Sequence, residues 1–264
     1  MTATSLITPG AALLQDSASG GWLRFDKPLE IIQTFRADEV VAKLREVEAA
    51  VESRGLHAAG LVAYEAAPGF DPALTVAPAG VLPLLWFGLY QAPEHVSDPF
   101  ESVDFPRPGA QWDSTVTTLE YERAFRRVKA GIREGEVYQV NLTYRVRRFL
   151  DVEDSWRCFA ALAAAQQPVF GAYIATREWS VGSASPELFF DLQGERIESR
   201  PMKGTAPRGL TLAQDRANVS DLRNSDKERA ENLMIVDMVR NDLGRIAVPG
   251  SVDVPELFTA EKYP

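Results

Sequence analysis

Lys203 stands in the run Arg200-Pro201-Met202-Lys203-Gly204-Thr205, framed by a proline and a glycine. A lysine is a nucleophile only when deprotonated. Bringing its pKa from about 10.4 to about 7 takes about 4.6 kcal/mol of differential desolvation or charge interaction. A tight turn at a strand end can hold an amine in a dry site of that kind; an ordinary surface charge is the other reading of the same residue. Glu187 follows Ser185-Pro186, at the far end of an expected hairpin of 188–192 with 196–199. Antiparallel pairing would bring Glu187 close to Lys203. A carboxyl and an amine at one hairpin end can act as acid and nucleophile, or simply form a salt bridge.

A second polar constellation lies in 227–242, KERAENLMIVDMVRND. At about 100° per residue, Ala230, Leu233, Met234, Ile235, Val236, Met238 and Val239 spread around the whole helix, which predicts a buried one. Glu231, Asp237, Arg240 and Asn241 sit within it. Buried charges are expensive unless paired or bound to a metal. The run is therefore either a core helix with an internal ion-pair network, such as Asp237 with Arg240 at i,i+3, or a core helix with a polar site built into it.

The elements that must position these residues follow from periodicity. Trp22 to Phe25 reads as a strand. Asp38 is placed to cap a helix with Val40, Leu44, Val47 and Val51 on one stripe, stopped by Gly55. Residues 60–64 and 82–90 read as apolar strands, the latter central because it is apolar on both faces. Residues 92–111, rich in Pro, Asp and Ser, read as a surface connection. Tyr121, Phe125, Val128 and Ile132 mark a second amphipathic helix ending at Gly135, with a strand over 137–142 after it. Residues 155–167 form an alanine-rich helix stopped by Pro168. Strands follow over 172–176, 179–182 and 188–192, with Gln193-Gly194 as a hairpin turn. Strands clustered between helices, many in hairpin order, predict an α+β fold with two large antiparallel β-sheets and helices packed around them. The expected division is 1–111 and 112–264.

The chain of 264 residues has a net charge of −9, which argues against nucleic acid or an acidic membrane as partner. Cys158 is the only cysteine, so an intrachain disulfide is excluded and a reducing compartment such as the cytoplasm fits. His57 and His95 lack a Cys or His at ligand spacing, so a zinc site is not expected; carboxylates would favour a hard cation. Residues 1–14 lack the basic start and long apolar core of a secretory signal, and no apolar run approaches the roughly 20 residues of a membrane helix. There is no G-x-G-x-x-G and no P-loop.

Pro201–Thr205 together with 227–245 resembles the chorismate-utilising enzymes, as do Ser185-Pro-Glu187, 138–142 (YQVNL) and 250–257 (GSVDVPEL). The likeness is strong from about residue 118 onward and looser before. Within that family, lysine at the position of Lys203 and glutamine at that of Gln139 resemble the aminodeoxychorismate synthase branch, component I. Anthranilate synthases carry alanine at the first position; isochorismate and salicylate synthases carry lysine at the second. The resemblance implies that Lys203 attacks C2 of chorismate to form a covalent intermediate. It implies Glu187 as general acid for the departing C4 hydroxyl, and Gly204, Thr205 and Gln139 in the substrate pocket. Glu231 would be one ligand of Mg²⁺, and ammonia would come from a glutamine amidotransferase subunit, on the way to 4-aminobenzoate and folate. The alternatives are an anthranilate synthase component I and a non-catalytic fragment. In the family's pattern a histidine, a chorismate-gripping arginine and tyrosine, and a second magnesium glutamate lie beyond Pro264, so a truncated chain is expected, itself inactive.

Overall fold

A computed structural model describes residues 8–17, 19–100, 112–149 and 154–263. The first half of the leader-free reading of 1–14, and 101–111 of the expected surface connection, lie outside the described residues. In chain order the elements are β1 (Ala11–Gln15), β2 (Trp22–Phe25), β3 (Glu30–Thr34), α1 (Val40–Arg54), β4 (His57–Val62), β5 (Leu85–Tyr90), β6 (Glu94–Val96), β7 (Asp113–Ser114), α2 (Thr118–Glu134), β8 (Val146–Arg147), α3 (Asp154–Gln166), β9 (Phe170–Ala175), β10 (Ser180–Ser185), β11 (Leu188–Gln193), β12 (Arg196–Arg200), α4 (Leu212–Asn224) and α5 (Asp226–Gly244). The fold is α+β, and the strand pairs are antiparallel. The chain divides into two compact units, Met1–Pro106 with Glu153–Glu187, and Arg107–Val152 with Leu188–Pro264.

The first unit stacks two sheets between two helices. One sheet runs β10-β9-β1-β2-β6 and the other β3-β5-β4. β5 is apolar on both faces because both are covered. Leu85 and Leu89 pack under α1 with Ile32, Val40 and Val47. Trp86 and Tyr90 point the other way, into a cluster with Ala12, Phe25, Ala59 and Ile174 of the neighbouring strands. β1 alternates likewise: Ala12 joins that cluster, and Leu13 packs beneath α3 with Trp22, Trp156, Phe159, Ala163 and Tyr173. The Tyr90 hydroxyl is buried in the process and donates to the Gly10 carbonyl at 2.6 Å. Asp38 does not cap α1. It lies in a 3₁₀ turn at Ala37–Glu39 and pairs with Arg36 at 2.6 Å, which engages the carboxylate a cap would need.

The second unit is more open. α2 begins with a capping box: the Thr117 hydroxyl accepts from the Glu120 N–H and the Glu120 carboxylate accepts from the Thr117 N–H. It ends at Gly135 in the left-handed conformation. Tyr121, Phe125 and Ile132, its expected buried stripe, are exposed. The strand expected over 137–142 does not form: β8 meets β7 only at 113–114 with 146–147, and a strand without a partner leaves its N–H and C=O groups unpaired. The expected hairpin β11-β12 does form, with Leu188 opposite Arg200 and a register shift before Asp191.

The polar stretch between Thr205 and Lys227 contains α4, capped by Thr211, whose hydroxyl accepts from the Gln214 N–H. α5 is a helix over the expected range, yet none of its residues is buried. The all-round apolar pattern records the environment the helix is suited to, and the described residues supply no second layer over it. Among the described residues, no helix is long and apolar enough to cross a membrane.

Candidate functional site

Five of the residues singled out in the sequence, Gln139, Lys203, Gly204, Thr205 and Glu231, belong to the second unit. Lys203 lies in an irregular segment between the end of β12 and the cap of α4 and is half-buried, as is Gly204; Thr205 is exposed. Gly204 has φ +78°, a conformation that favours glycine. The reason for the turn is visible on its far side. A β-carbon on residue 204 would meet the Glu228 carboxylate at 2.6 Å, so the segment carrying Lys203 lies directly against α5.

α5 presents Lys227, Glu228 and Glu231 there. The ammonium of Lys227 reaches Glu228 at 3.0 Å and Glu231 at 3.4 Å. The bond to Glu228, then that to Glu231, raises the Lys227 pKa. The Gln139 amide crosses from the irregular 137–145 segment and donates to Glu231 at 3.5 Å. Its other atom, Oε1, is buried and has no hydrogen-bond partner among the described residues. Gln139 and Glu231 are thus brought together, 92 residues apart in sequence.

Glu228 is the residue the sequence reading missed. It lies one turn before Glu231, so the two share a helix face, and the i,i+3 spacing was the available signal. Asp237 and Arg240, the proposed internal ion pair, are 3.4 Å apart but both exposed, a setting in which pairs contribute about 0–1 kcal/mol.

Glu187 is the last residue of the first unit and is exposed. Its backbone N–H donates to the Ser185 hydroxyl at 3.2 Å, which in turn donates to the Glu187 carbonyl at 3.3 Å.

The hard divalent cation that the family likeness implies would find its candidate donors in this part of the second unit, where the Lys227 ammonium now meets both carboxylates. Mg²⁺ keeps most of its waters and takes one or two protein carboxylates. Glu228 and Glu231 supply two half-buried carboxylates around one cationic group, the Lys227 ammonium, and the unpartnered Gln139 Oε1 adds a hard oxygen beside them. Among the described residues there is no cluster of three or more His, Cys, Asp or Glu side chains.

The Lys203 segment is also held downstream. Asp215, almost buried, accepts from Arg208 Nε at 2.8 Å, Arg208 Nη2 at 3.2 Å and the Gly209 N–H at 2.9 Å. The Arg208 guanidinium, and after it the Gly209 N–H, holds the Asp215 carboxyl down at about 2.

Comparison with known proteins gives this geometry a context. The chain is 46% identical over 153 residues to aminodeoxychorismate synthase component 1 of Salmonella typhimurium, covering 58% of this chain and 34% of that protein. It is 38% identical over 152 residues to anthranilate synthase component 1 of Saccharolobus solfataricus, covering 58% of this chain and 36% of the relative. The chain thus spans about a third of the length of the curated relatives it matches. Its fold matches the crystal structure of anthranilate synthase component I from Streptococcus pneumoniae with a TM-score of 0.63 at 16% identity, over 90% of this chain and 62% of the other. The model of the family described as chorismate binding enzyme matches residues 10–264, and the chain belongs to that family.

Proposed function

We propose that this chain is part of an aminodeoxychorismate synthase component I, which converts chorismate and ammonia to 4-amino-4-deoxychorismate and water. The observation that carries the reading is the setting of Lys203: a half-buried amine on a segment pressed through Gly204 against the carboxylate face of α5. The 46% identity to a protein of that name supports the choice within the family.

In this reading the Lys203 nitrogen attacks C2 of the ring. Both ring double bonds shift, the C4–O bond breaks, Glu187 gives its proton to the departing hydroxyl, which leaves as water, and the proton shed by the newly bonded nitrogen returns to Glu187. Ammonia then forms a bond at C4, the C2–N bond breaks, and the Lys203 amine is restored. Splitting one hard displacement into two easier ones is the gain of a covalent nucleophile. Gly204, Thr205 and Gln139 line the ring's pocket. Glu231, with Glu228 and the Gln139 oxygen, would hold Mg²⁺, which when bound supplies positive charge for a substrate carboxylate. The ammonia comes from a glutamine amidotransferase partner, and the setting is the cytoplasm.

Mass spectrometry of the Lys203 peptide tests this. After incubation of the whole protein with chorismate and Mg²⁺ without ammonia, the peptide should gain the mass of the dehydrated ring, and Lys203→Ala should lose both the adduct and most of the amination rate. An unmodified Lys203 with full activity in Lys203→Ala would point instead to direct attack by ammonia and to anthranilate as product, the product in the name of the 38%-identical relative.

A further inference from the structure

The segment 201–210 has no regular secondary structure, yet on the reading above it carries the nucleophile. An irregular stretch holds a reacting atom in place only if side chains fix it, because each free residue retains its backbone entropy. We propose that Arg208 and Asp215 are positioning residues for Lys203, clamping the downstream end of its segment to α4. This inference rests on the functional reading just given.

Four contacts staple the downstream end. The planar fork of Arg208 meets both oxygens of Asp215, and the first of those oxygens also accepts from the Gly209 N–H. Gln214 Oε1 accepts from the Leu210 N–H at 3.1 Å, and Asn218 Nδ2 donates to the Pro207 carbonyl at 2.8 Å. Gly209 is pressed so close to α4 that a β-carbon there would lie 2.2 Å from the Asp215 nitrogen, so only glycine fits. The upstream end is held where Gly204 meets Glu228. Tyr263 adds to the downstream end: its carbonyl accepts from Arg208 Nη1 at 3.1 Å, while its hydroxyl donates to the Glu261 carboxylate and lies 3.7 Å from the Met202 sulfur. One tyrosine therefore touches residues on both sides of Lys203, and bonds to the downstream one.

This arrangement also says what Arg208 does not do. All three of its nitrogens donate within the protein, to Asp215 and to the Tyr263 carbonyl. The fork that would otherwise grip a substrate carboxylate is committed to the fold. An arginine used this way is not replaced by lysine, whose ammonium is a point charge without the paired geometry.

The test compares the whole protein with its Asp215→Asn, Asp215→Glu and Arg208→Lys variants. Hydrogen–deuterium exchange of the peptide covering 202–211 should rise by about tenfold in Asp215→Asn and Arg208→Lys, with exchange in the first unit unchanged. At saturating chorismate, formation of the Lys203 adduct should fall by roughly 10–100-fold, the scale of a misplaced reacting group, while KM stays within about twofold. Asp215→Glu, which keeps the acceptor pair, should recover part of the rate. Arg208→Lys removes no charge and serves where Asp215→Asn does not fold. An adduct that forms at the parent rate in both variants, or a fall confined to KM, overturns the positioning role and leaves the functional reading standing. A parent protein that forms no adduct overturns the functional reading and this inference with it.

Discussion

Glu228 lies across Gly204, its carboxylate 2.6 Å from where a β-carbon on residue 204 would stand, although 24 residues separate the two. The contact joins the segment of a candidate nucleophile to the helix of a candidate metal ligand. Its consequence is a narrow tolerance at residue 204. The carboxylate of Glu228 is the mobile end of a flexible side chain and can move aside, but the backbone at φ +78° cannot be relieved so simply. Gly204→Ala should destabilise the Lys203 segment by about 1–2 kcal/mol, the penalty of the left-handed conformation for an L-residue. Hydrogen exchange of 202–211 under native conditions should rise accordingly, and exchange at the parent rate would show that the turn relaxes freely.

Glu231→Gln removes one negative charge and keeps the shape of the side chain. The half-buried site tolerates the amide, so α5 should fold as before. The Mg²⁺ needed for activity should rise by at least about tenfold, since the loss of even an outer-shell partner weakens metal sites by about 10–100-fold. Calorimetric titration with Mg²⁺ checks this. An unchanged magnesium dependence would confine Glu231 to its pairs with Lys227 and Gln139.

In the first unit, the Tyr90 hydroxyl is the buried donor for the Gly10 carbonyl. Burial pushes its pKa well above the usual phenol range, so it stays a donor at any physiological pH. Tyr90→Phe keeps the ring against Phe25 but orphans the carbonyl. A loss of about 1–3 kcal/mol in urea unfolding is expected, the penalty of a buried acceptor left without its partner. A midpoint identical to the parent's would mean that water reaches Gly10.

Asp215 contributes an acid-side pH dependence to the second unit. Its folded pKa is depressed to about 2 by Arg208 and the Gly209 N–H. The sign follows from the depression: the stabilisation is fully present above the ordinary carboxylate pKa of about 4 and is lost as the pH falls through about 2. Carbon NMR of the Asp215 carboxyl should give a midpoint near 2 in the parent and a clearly higher one in Arg208→Ala, where the Gly209 N–H still holds it down in part. A parent midpoint near 4 would mean that the clamp does not form in solution.

Much of this was legible in the residues. The unbroken apolar run of β5 named a strand covered on both faces, because burial on two sides leaves no polar position in it. Gly55, Gly135 and Gly194 marked two helix ends and a hairpin turn through their backbone freedom. The clustering of Lys203, Gly204 and Glu231 on one unit was legible only through family likeness. Other features were hidden because they depend on partners distant in sequence. Asp38 resembled a cap until Arg36 engaged it. Residues 137–142 alternate like a strand and pair with no strand among the described residues. The polar residues of 211–218 concealed α4, because their function is to bond back onto 207–210 rather than to form an apolar face.

The place of β1 between β2 and β9 sets a clock on synthesis. Ala12 pairs with Phe25 soon after both emerge, but its other partner is Ile174, roughly 160 residues later. At about 5–20 residues per second, the ribosome leaves that edge of β1 without its neighbour for roughly 8–32 s. During that interval an apolar strand with free N–H and C=O groups is a template for any other extended chain, and loop closure over such a distance comes late and slowly. The nascent first unit is therefore open to such pairing before Lys203, Glu228 and Glu231 have been made.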